Sequence, residues 1–269
     1  MTQLELSEKV HVSPQAVSQW ERGVTIPDIA MIPAIARKLG TTAGSLLSEL
    51  DGPGENWTVR DTLFSAEHMY TRMLAFAQAE GLCETYKALP FMKERHAGQF
   101  RKQSFFSDVK VPYITHPLMM ACQAHALGIR DDRILAAALL HDVCEDCGVA
   151  PEDLPVSDEV KTAVRILTKG KDHKTGDAAS KERYYGEIAK DPVACFVKIL
   201  DRCSNISTMA ASFPDERLNG YIGETETCVL PLIDRLRKAE PQYSDALYVL
   251  KYHMRSVLES VKCMILRSR

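Results

Sequence analysis

At 269 residues, with 45% apolar and 26% charged side chains, the chain can hold one large domain or two unequal ones and has the make-up of a soluble globular protein. A net charge of −3 excludes a global attraction to nucleic acid or anionic membrane, so any such binding must rest on local patches. No apolar run is long enough to span a bilayer, the start Met1-Thr2-Gln3-Leu4-Glu5 is polar, and the eight cysteines are scattered; the expectation is a cytoplasmic protein with reduced thiols.

Short helices separated by turns are expected over the first fifty residues. Gln3–Val10 is the first. Ser13 caps a second, with Pro14 in the first helical position; it runs over Gln15–Arg22 and ends at Gly23. Asp28 is expected to cap a third over Ile29–Leu39, ended by Gly40, and Thr42 to open a fourth through Leu50. The breakers Asp51-Gly52-Pro53-Gly54-Glu55 place a linker over residues 51–64. Beyond it one helical pattern follows another: Ser65–Ala79, Glu84–Arg101, Pro117–Leu127, Asp131–Asp146, Asp158–Thr168, Ser180–Lys190, Pro192–Ala211, Arg217–Lys238 and Asp245–Leu266. No segment alternates as a strand does, so both parts are expected to be all-α. Two polar, Lys-bearing stretches, Gln103–Tyr113 and Lys169–Ala179, are expected as functional loops.

The stretch from Leu6 to Gly23, with Trp20-Glu21-Arg22-Gly23 and then Ile26-Pro27-Asp28, resembles the helix-turn-helix of Cro and phage-repressor-like regulators. The resemblance implies that the second helix of the motif enters the major groove, presenting Gln15, Ser18 and Gln19, with Ser13 or Thr2 on phosphates. Members of that family carry a helix ahead of the one starting at Gln3, and here that first helix is read as missing. DNA is thus an expected partner of residues 1–50, beside a competing reading as a protein-interaction module.

The chemistry concentrates in His141-Asp142-Val143-Cys144-Glu145-Asp146, at the end of an Ala- and Leu-rich helix expected to be buried. On one continuous helix, Glu145 and Asp146 stack above His141 and Asp142. Two further donors come from elsewhere: His116, at a helix start, and Asp201, inside the apolar run Phe196-Val-Lys-Ile-Leu. A buried Asp is rare unless paired or metal-bound. Two His and two Asp make a mixed N/O set, which favours an open divalent site such as one for Mn²⁺ over a closed thiolate zinc site. Cys144 and Cys147 form a C-x-x-C without a second pair, so a zinc or redox role is not expected.

His116, His141-Asp142 and Asp201, in the order H…HD…D, resemble the HD superfamily of metal-dependent phosphohydrolases. The wider set narrows this: His96-Ala-Gly-Gln-Phe-Arg-Lys, Pro112-Tyr-Ile-Thr-His-Pro, Ala136-Ala-Ala-Leu-Leu-His-Asp-Val-Cys-Glu-Asp and Val197-Lys-Ile-Leu-Asp-Arg-Cys-Ser-Asn resemble the hydrolase domain of the RelA/SpoT homologues, in particular the small alarmone hydrolases. The resemblance implies an HD-domain helical bundle over residues 65–269. It also implies Mn²⁺-dependent removal of the 3′-pyrophosphate of (p)ppGpp, with His116, His141, Asp142 and Asp201 as ligands. By the same resemblance Glu145 and Asp146 are the catalytic acids, and Arg101, Lys102, Asn205 and Thr208 contact the nucleotide; Lys169 or Lys171 could add phosphate contacts. The chain departs from the family at Ser204, where an aromatic or His is usual, and at Phe105-Phe106, both where base or ribose could bind. His96 is expected in a structural or substrate-side role, and His125, His173 and His253 in packing or at the surface. Tyr184-Tyr185 are as readily core as base-stacking, and Lys181 and Arg183 are expected on a solvated face. Two other readings stand beside the first: an HD phosphohydrolase acting on NADPH or a dNTP, and a transcription regulator that senses an alarmone without turnover. No membrane partner is expected, and an oligomer is left open.

Overall fold

The computed structural model describes residues 2–21, 25, 27–28, 31–40, 64–102, 104–105, 110–168 and 178–267. Among them the elements are helical, with one isolated bridge between Phe100 and Pro112. The chain divides into two compact units, Met1–His68 and Met69–Arg269.

The first unit contains α1 (Gln3–Val10), α2 (Pro14–Glu21) and α3 (Ile32–Leu39). Glu5 N donates to Thr2 Oγ1 at 3.2 Å and Thr2 N to Glu5 Oε2 at 2.8 Å, a reciprocal cap on α1. Ala16 N donates to Ser13 Oγ at 3.1 Å, so Ser13 caps α2 as its position predicts. The two hydroxyls expected on phosphates are therefore engaged as helix caps. Val10, Val17, Ile32, Ile35 and Ala36 form the buried seam. α3 starts later than expected. Met31, not Asp28, holds the cap position, with no side-chain cap bond, and Asp28 contributes its backbone carbonyl to Met31 N at 2.8 Å. Arg22, Gly23, Ile26, the helix expected from Thr42 and residues 51–63 of the expected linker lie outside the described residues.

The second unit is built on two buried helices. α4 (Ala66–Glu80), α5 (Cys83–Arg95) and α6 (Thr115–Ala126) lead to α7 (Asp132–Leu140), which is buried from Ile134 to Leu140 because Ile-Leu-Ala-Ala-Ala-Leu-Leu is apolar on every side. A short α8 (Val143–Cys147) follows, then α9 (Asp158–Leu167), α10 (Ala178–Ile188) and the second core helix, α11 (Pro192–Met209). α5, α6, α9 and α11 all pack on α7. α12 (Asp215–Glu224), a π-helical turn over Thr225–Val229 and α13 (Leu230–Ala239) run to α14 (Ser244–Arg267), which packs on α11 and α13. Aspartates pin the helix starts: Asp131 caps α7, Asp191 caps α11, and Asp132 reaches α5, accepting from Thr85 N at 2.8 Å and Thr85 Oγ1 at 2.6 Å.

Three expected helices are corrected. Asp131–Asp146 is not continuous: α7 stops at Leu140, and Asp142 (φ −101°, ψ −8°) bends the chain before α8. Adjacent helical residues point about 100° apart; the bend lets His141 and Asp142 reach one point. Glu84–Arg101 ends at Arg95, because Gly98 at φ 76° turns the chain into the bridge with Pro112. Arg217–Lys238 is interrupted by the π turn, whose Thr225, with Glu224 before it, meets the buried guanidinium of Arg202.

Candidate metal centre

Four donors from three separated helical regions converge. His116 is the second residue of α6, His141 and Asp142 occupy the break between α7 and α8, and Asp201 lies midway along α11. His116 Nε2 is 3.4 Å from Asp201 Oδ1 and 4.0 Å from Asp142 Oδ2. His141 Nε2 is 2.9 Å from Asp142 Oδ2 and 4.0 Å from Asp201 Oδ1. His116, His141 and Asp201 are buried and Asp142 is half-buried.

Each donor is oriented from behind. The Ala138 carbonyl, which can only accept, lies 2.9 Å from His141 Nδ1; Nδ1 therefore carries a proton, and Nε2 is the nitrogen that offers a lone pair once the imidazole is neutral. That Nε2 is buried without a hydrogen-bond partner despite its closeness to Asp142. His116 Nδ1 lies 3.0 Å from Ser204 Oγ. Tyr113 donates its hydroxyl to Asp142 Oδ2 at 2.5 Å, and its ring stacks on His96 with centroids 4.6 Å apart. Lys198 Nζ lies 2.8 Å from Asp201 Oδ2, and Asn205 Nδ2 donates to Asp201 Oδ1 at 2.5 Å.

Charge and burial compete at every group. Burial lowers the pKa of His116, against the pull of Asp201. Burial opposes ionisation of His141 too, but the Asp142 and Asp201 carboxylates outweigh it and hold the imidazole up to about 9. Burial would raise Asp142 and Asp201; His141 holds the first down and Lys198 the second. Burial, with Asp142 beside it, pushes the Tyr113 hydroxyl up, so it stays a donor.

The donor set fits a divalent cation. Ligands ~2.1 Å from one ion stand roughly 3–4 Å from one another; ligand atoms of His116, His141 and Asp142 all lie within 4.8 Å of one another, and Asp201 Oδ1 adds a fourth oxygen 3.4 Å from His116 Nε2 and 4.0 Å from His141 Nε2. Two imidazole nitrogens and two carboxylate oxygens suit a borderline or hard divalent ion, and the buried Nε2 of His141 faces both carboxylates.

The other expected site residues divide. Arg101 Nη2 donates to Asn205 Oδ1 at 3.0 Å, so Asn205 bridges Arg101 to Asp201. Lys102 lies farther out, its Nζ 5.8 Å from the centroid of the Phe213 ring beyond the end of α11. Thr208 is exposed and bonds back to Asn205 O at 3.4 Å. Glu145 and Asp146 are exposed on α8, one turn past the metal cluster, with Asp146 N bonded to Asp142 O at 2.8 Å. In the first unit Gln15 and Gln19 are exposed and Ser18 is half-buried, on one side of α2. His96 is buried against Tyr113 and bonds Gln99 Oε1 at 2.7 Å; it is not among the converging donors. His125 stacks on Phe76, His253 bonds Ser207, and Tyr184 and Tyr185 are buried. Cys144 and Cys147 are free thiols. Lys169, Lys171, His173 and Phe106 lie outside the described residues.

Tyr113 and Lys198 carry no expected role in the sequence, and Ser204 stands there only as a departure from the family. Lys198 had a signal: a lysine inside the apolar run, three residues before a buried aspartate.

Residues 113–206 match the family model for the HD domain, and residues 1–46 that for a helix-turn-helix. The stretch that matches the HD model carries all four donors. The chain is similar to a probable GTP pyrophosphokinase of Mycobacterium leprae (35% identity over 162 residues, 58% of this chain and 20% of that protein). It is also similar to guanosine-3′,5′-bis(diphosphate) 3′-pyrophosphohydrolase of Aquifex aeolicus (33% over 157 residues, 57% and 21%) and to the bifunctional (p)ppGpp synthase/hydrolase SpoT of Escherichia coli K12 (30% over 183 residues, 63% and 25%). The chain thus spans about a fifth to a quarter of the length of these curated relatives. A solved structure described as "A metazoan ortholog of SpoT hydrolyzes ppGpp and plays a role in starvation responses" superposes with a TM-score of 0.51 at 23% identity, over 66% of this chain and 94% of that one, and shows the same fold. No helix among the described residues is long and apolar enough to cross a membrane.

Proposed function

We propose that the chain is a manganese-dependent hydrolase acting in the cytoplasm on (p)ppGpp, releasing its 3′-pyrophosphate to leave GDP or GTP. The observation that carries the reaction class is the convergence of His116, His141, Asp142 and Asp201; the substrate rests on the names of the relatives that match the HD domain. When bound, a divalent ion lowers the pKa of water and shields phosphoryl oxygens, the two obstacles to hydrolysing a charged phosphate ester. The four donors would hold the ion, with Ala138 and Ser204 fixing the imidazoles and Tyr113 and Lys198 the carboxylates.

In this reading Glu145 or Asp146 takes the proton from the attacking water. The bond from phosphorus to the ribose 3′-oxygen breaks, and that oxygen takes up a proton as it leaves. Arg101, steadied by Asn205, neutralises phosphate through charge-assisted hydrogen bonds, with Lys102 and Thr208 farther along the nucleotide. Residues 1–50 bind DNA through Gln15, Ser18 and Gln19, which supports a regulatory or localising role.

Release of pyrophosphate from ppGpp, compared with hydrolysis of NADPH and dGTP, each with Mn²⁺, tests the substrate. The reading expects ppGpp to be turned over fastest. Equal or faster cleavage of NADPH or dGTP overturns the substrate, and ppGpp binding without turnover overturns the enzyme. A gel shift with the DNA upstream of the protein's own coding sequence tests the front module.

A further inference from the structure

The face of α14 opposite its packed side carries an unusual load of exposed apolar surface. Ala246, Leu247, Leu250, Met254, Leu258, Val261 and Ile265 are buried beneath the helix. On its outer side Tyr248 is 62% exposed, Val249 47%, Tyr252 68%, Met264 62% and Leu266 71%. Five of the eleven large exposed hydrophobics of the described residues thus sit on this one helix, in two groups at its two ends. Exposed apolar side chains gathered on one helix in this way point to an interaction surface.

The outer stripe Val249, Tyr252, Ser256, Glu259, Cys263 and Leu266 advances by alternating steps of three and four, the spacing of a helix–helix seam. Its charges choose the orientation. Among the described residues Arg255 has no carboxylate partner, and Glu259 is well exposed and pairs with its own neighbour Lys262 at 3.4 Å. A parallel second helix would set Arg255 on Arg255 and Glu259 on Glu259. An antiparallel one sets Arg255 against Glu259 twice, about a two-fold axis near residue 257. The same register brings Tyr248 and Val249 against Leu266, Tyr252 against Cys263, and Asp245 within a turn of Arg267. Arg255 meets Glu259, Lys251 and Lys262 keep their partners Asp234 and Glu226 within the chain, and each apolar end meets the other apolar end.

We infer that α14 is a self-association surface: a second copy of this chain docks on it antiparallel, forming an isologous two-fold dimer. The small Ser256 and Ser260 near the centre allow close approach of the helices, and the aromatic side chains at 248 and 252 are its anchors. The surface is made by α14 alone and does not depend on what the metal centre does.

Light scattering on the full chain tests the state, and a cysteine pair tests the register. The wild type is expected to shift with rising concentration from 30.0 kDa to twice that mass. Tyr252→Lys is expected to hold the lower mass with unchanged helical circular dichroism. Tyr252→Cys is expected to form an oxidised covalent dimer on a non-reducing gel, through Cys263 of the second copy, and Tyr252→Cys/Cys263→Ser to form none. A wild type that stays at 30.0 kDa at all concentrations overturns the inference. So does a dimer that survives Tyr252→Lys, since it would use another face, and so does cross-linking that persists without Cys263.

Discussion

The ammonium of Lys198 lies 2.8 Å from the Asp201 carboxylate, three residues later on α11, and both side chains are nearly buried. Asp201 thus turns one oxygen to the lysine and the other towards His116 and Asn205. Removing one partner of a buried ion pair costs about 3–5 kcal/mol, because the other charge is left uncompensated. Lys198→Met should lower stability by an amount of that order in chemical denaturation and weaken divalent-ion binding. Lys198→Arg should recover part of both.

Tyr113 has a narrower task. Its hydroxyl orients Asp142 and its ring fixes nothing that phenylalanine would not. Partners that orient ligands contribute about 10–100-fold to metal affinity or activity. Tyr113→Phe should fold like the parent and lose Mn²⁺ affinity within that range, read by calorimetric titration.

The alkaline side belongs to His141. Its folded value of about 9 exceeds the ordinary 6.5 because Asp142 and Asp201 outweigh burial. Its proton therefore stabilises the metal-free fold fully below 6.5, and that contribution is lost as pH rises through about 9. A cation needs the same Nε2 lone pair, so its affinity should climb over that window and release a proton on binding. Denaturation of the metal-free chain and metal titration on both sides of the window check this; affinity falling with rising pH contradicts it.

The acid side belongs to Glu224. Burial would raise its carboxyl, but Arg202, with the Tyr185 hydroxyl, holds it down to about 2 against an ordinary 4.5. Its contribution is present above 4.5 and lost as pH falls through about 2. A shift of that size corresponds to roughly 3 kcal/mol. Glu224→Gln should destabilise the chain near neutrality and flatten the acid limb of its stability curve, measured by denaturation across pH.

How much of this was legible in the sequence depended on range. α1 (Gln3–Val10) agrees with its expected bounds and α9 (Asp158–Leu167) agrees to within a residue, because caps and periodicity act over one turn. The H…HD…D donors were legible because buried carboxylates and imidazoles in an apolar setting have few other uses. The break at His141-Asp142 was not, since an Ala- and Leu-rich run favours an unbroken helix; yet it is the bend that lets the two side chains converge. Ser204 was unreadable for a different reason: its partner His116 is 88 residues away, and only the packing of α6 on α11 brings hydroxyl and imidazole together.

Titration of the metal-free full chain with Mn²⁺, beside Asp201→Ala, tests the account most directly. The account predicts one ion per wild-type chain and loss of that site in the variant. Binding of the same stoichiometry and affinity to Asp201→Ala, or none to the wild type, would contradict it.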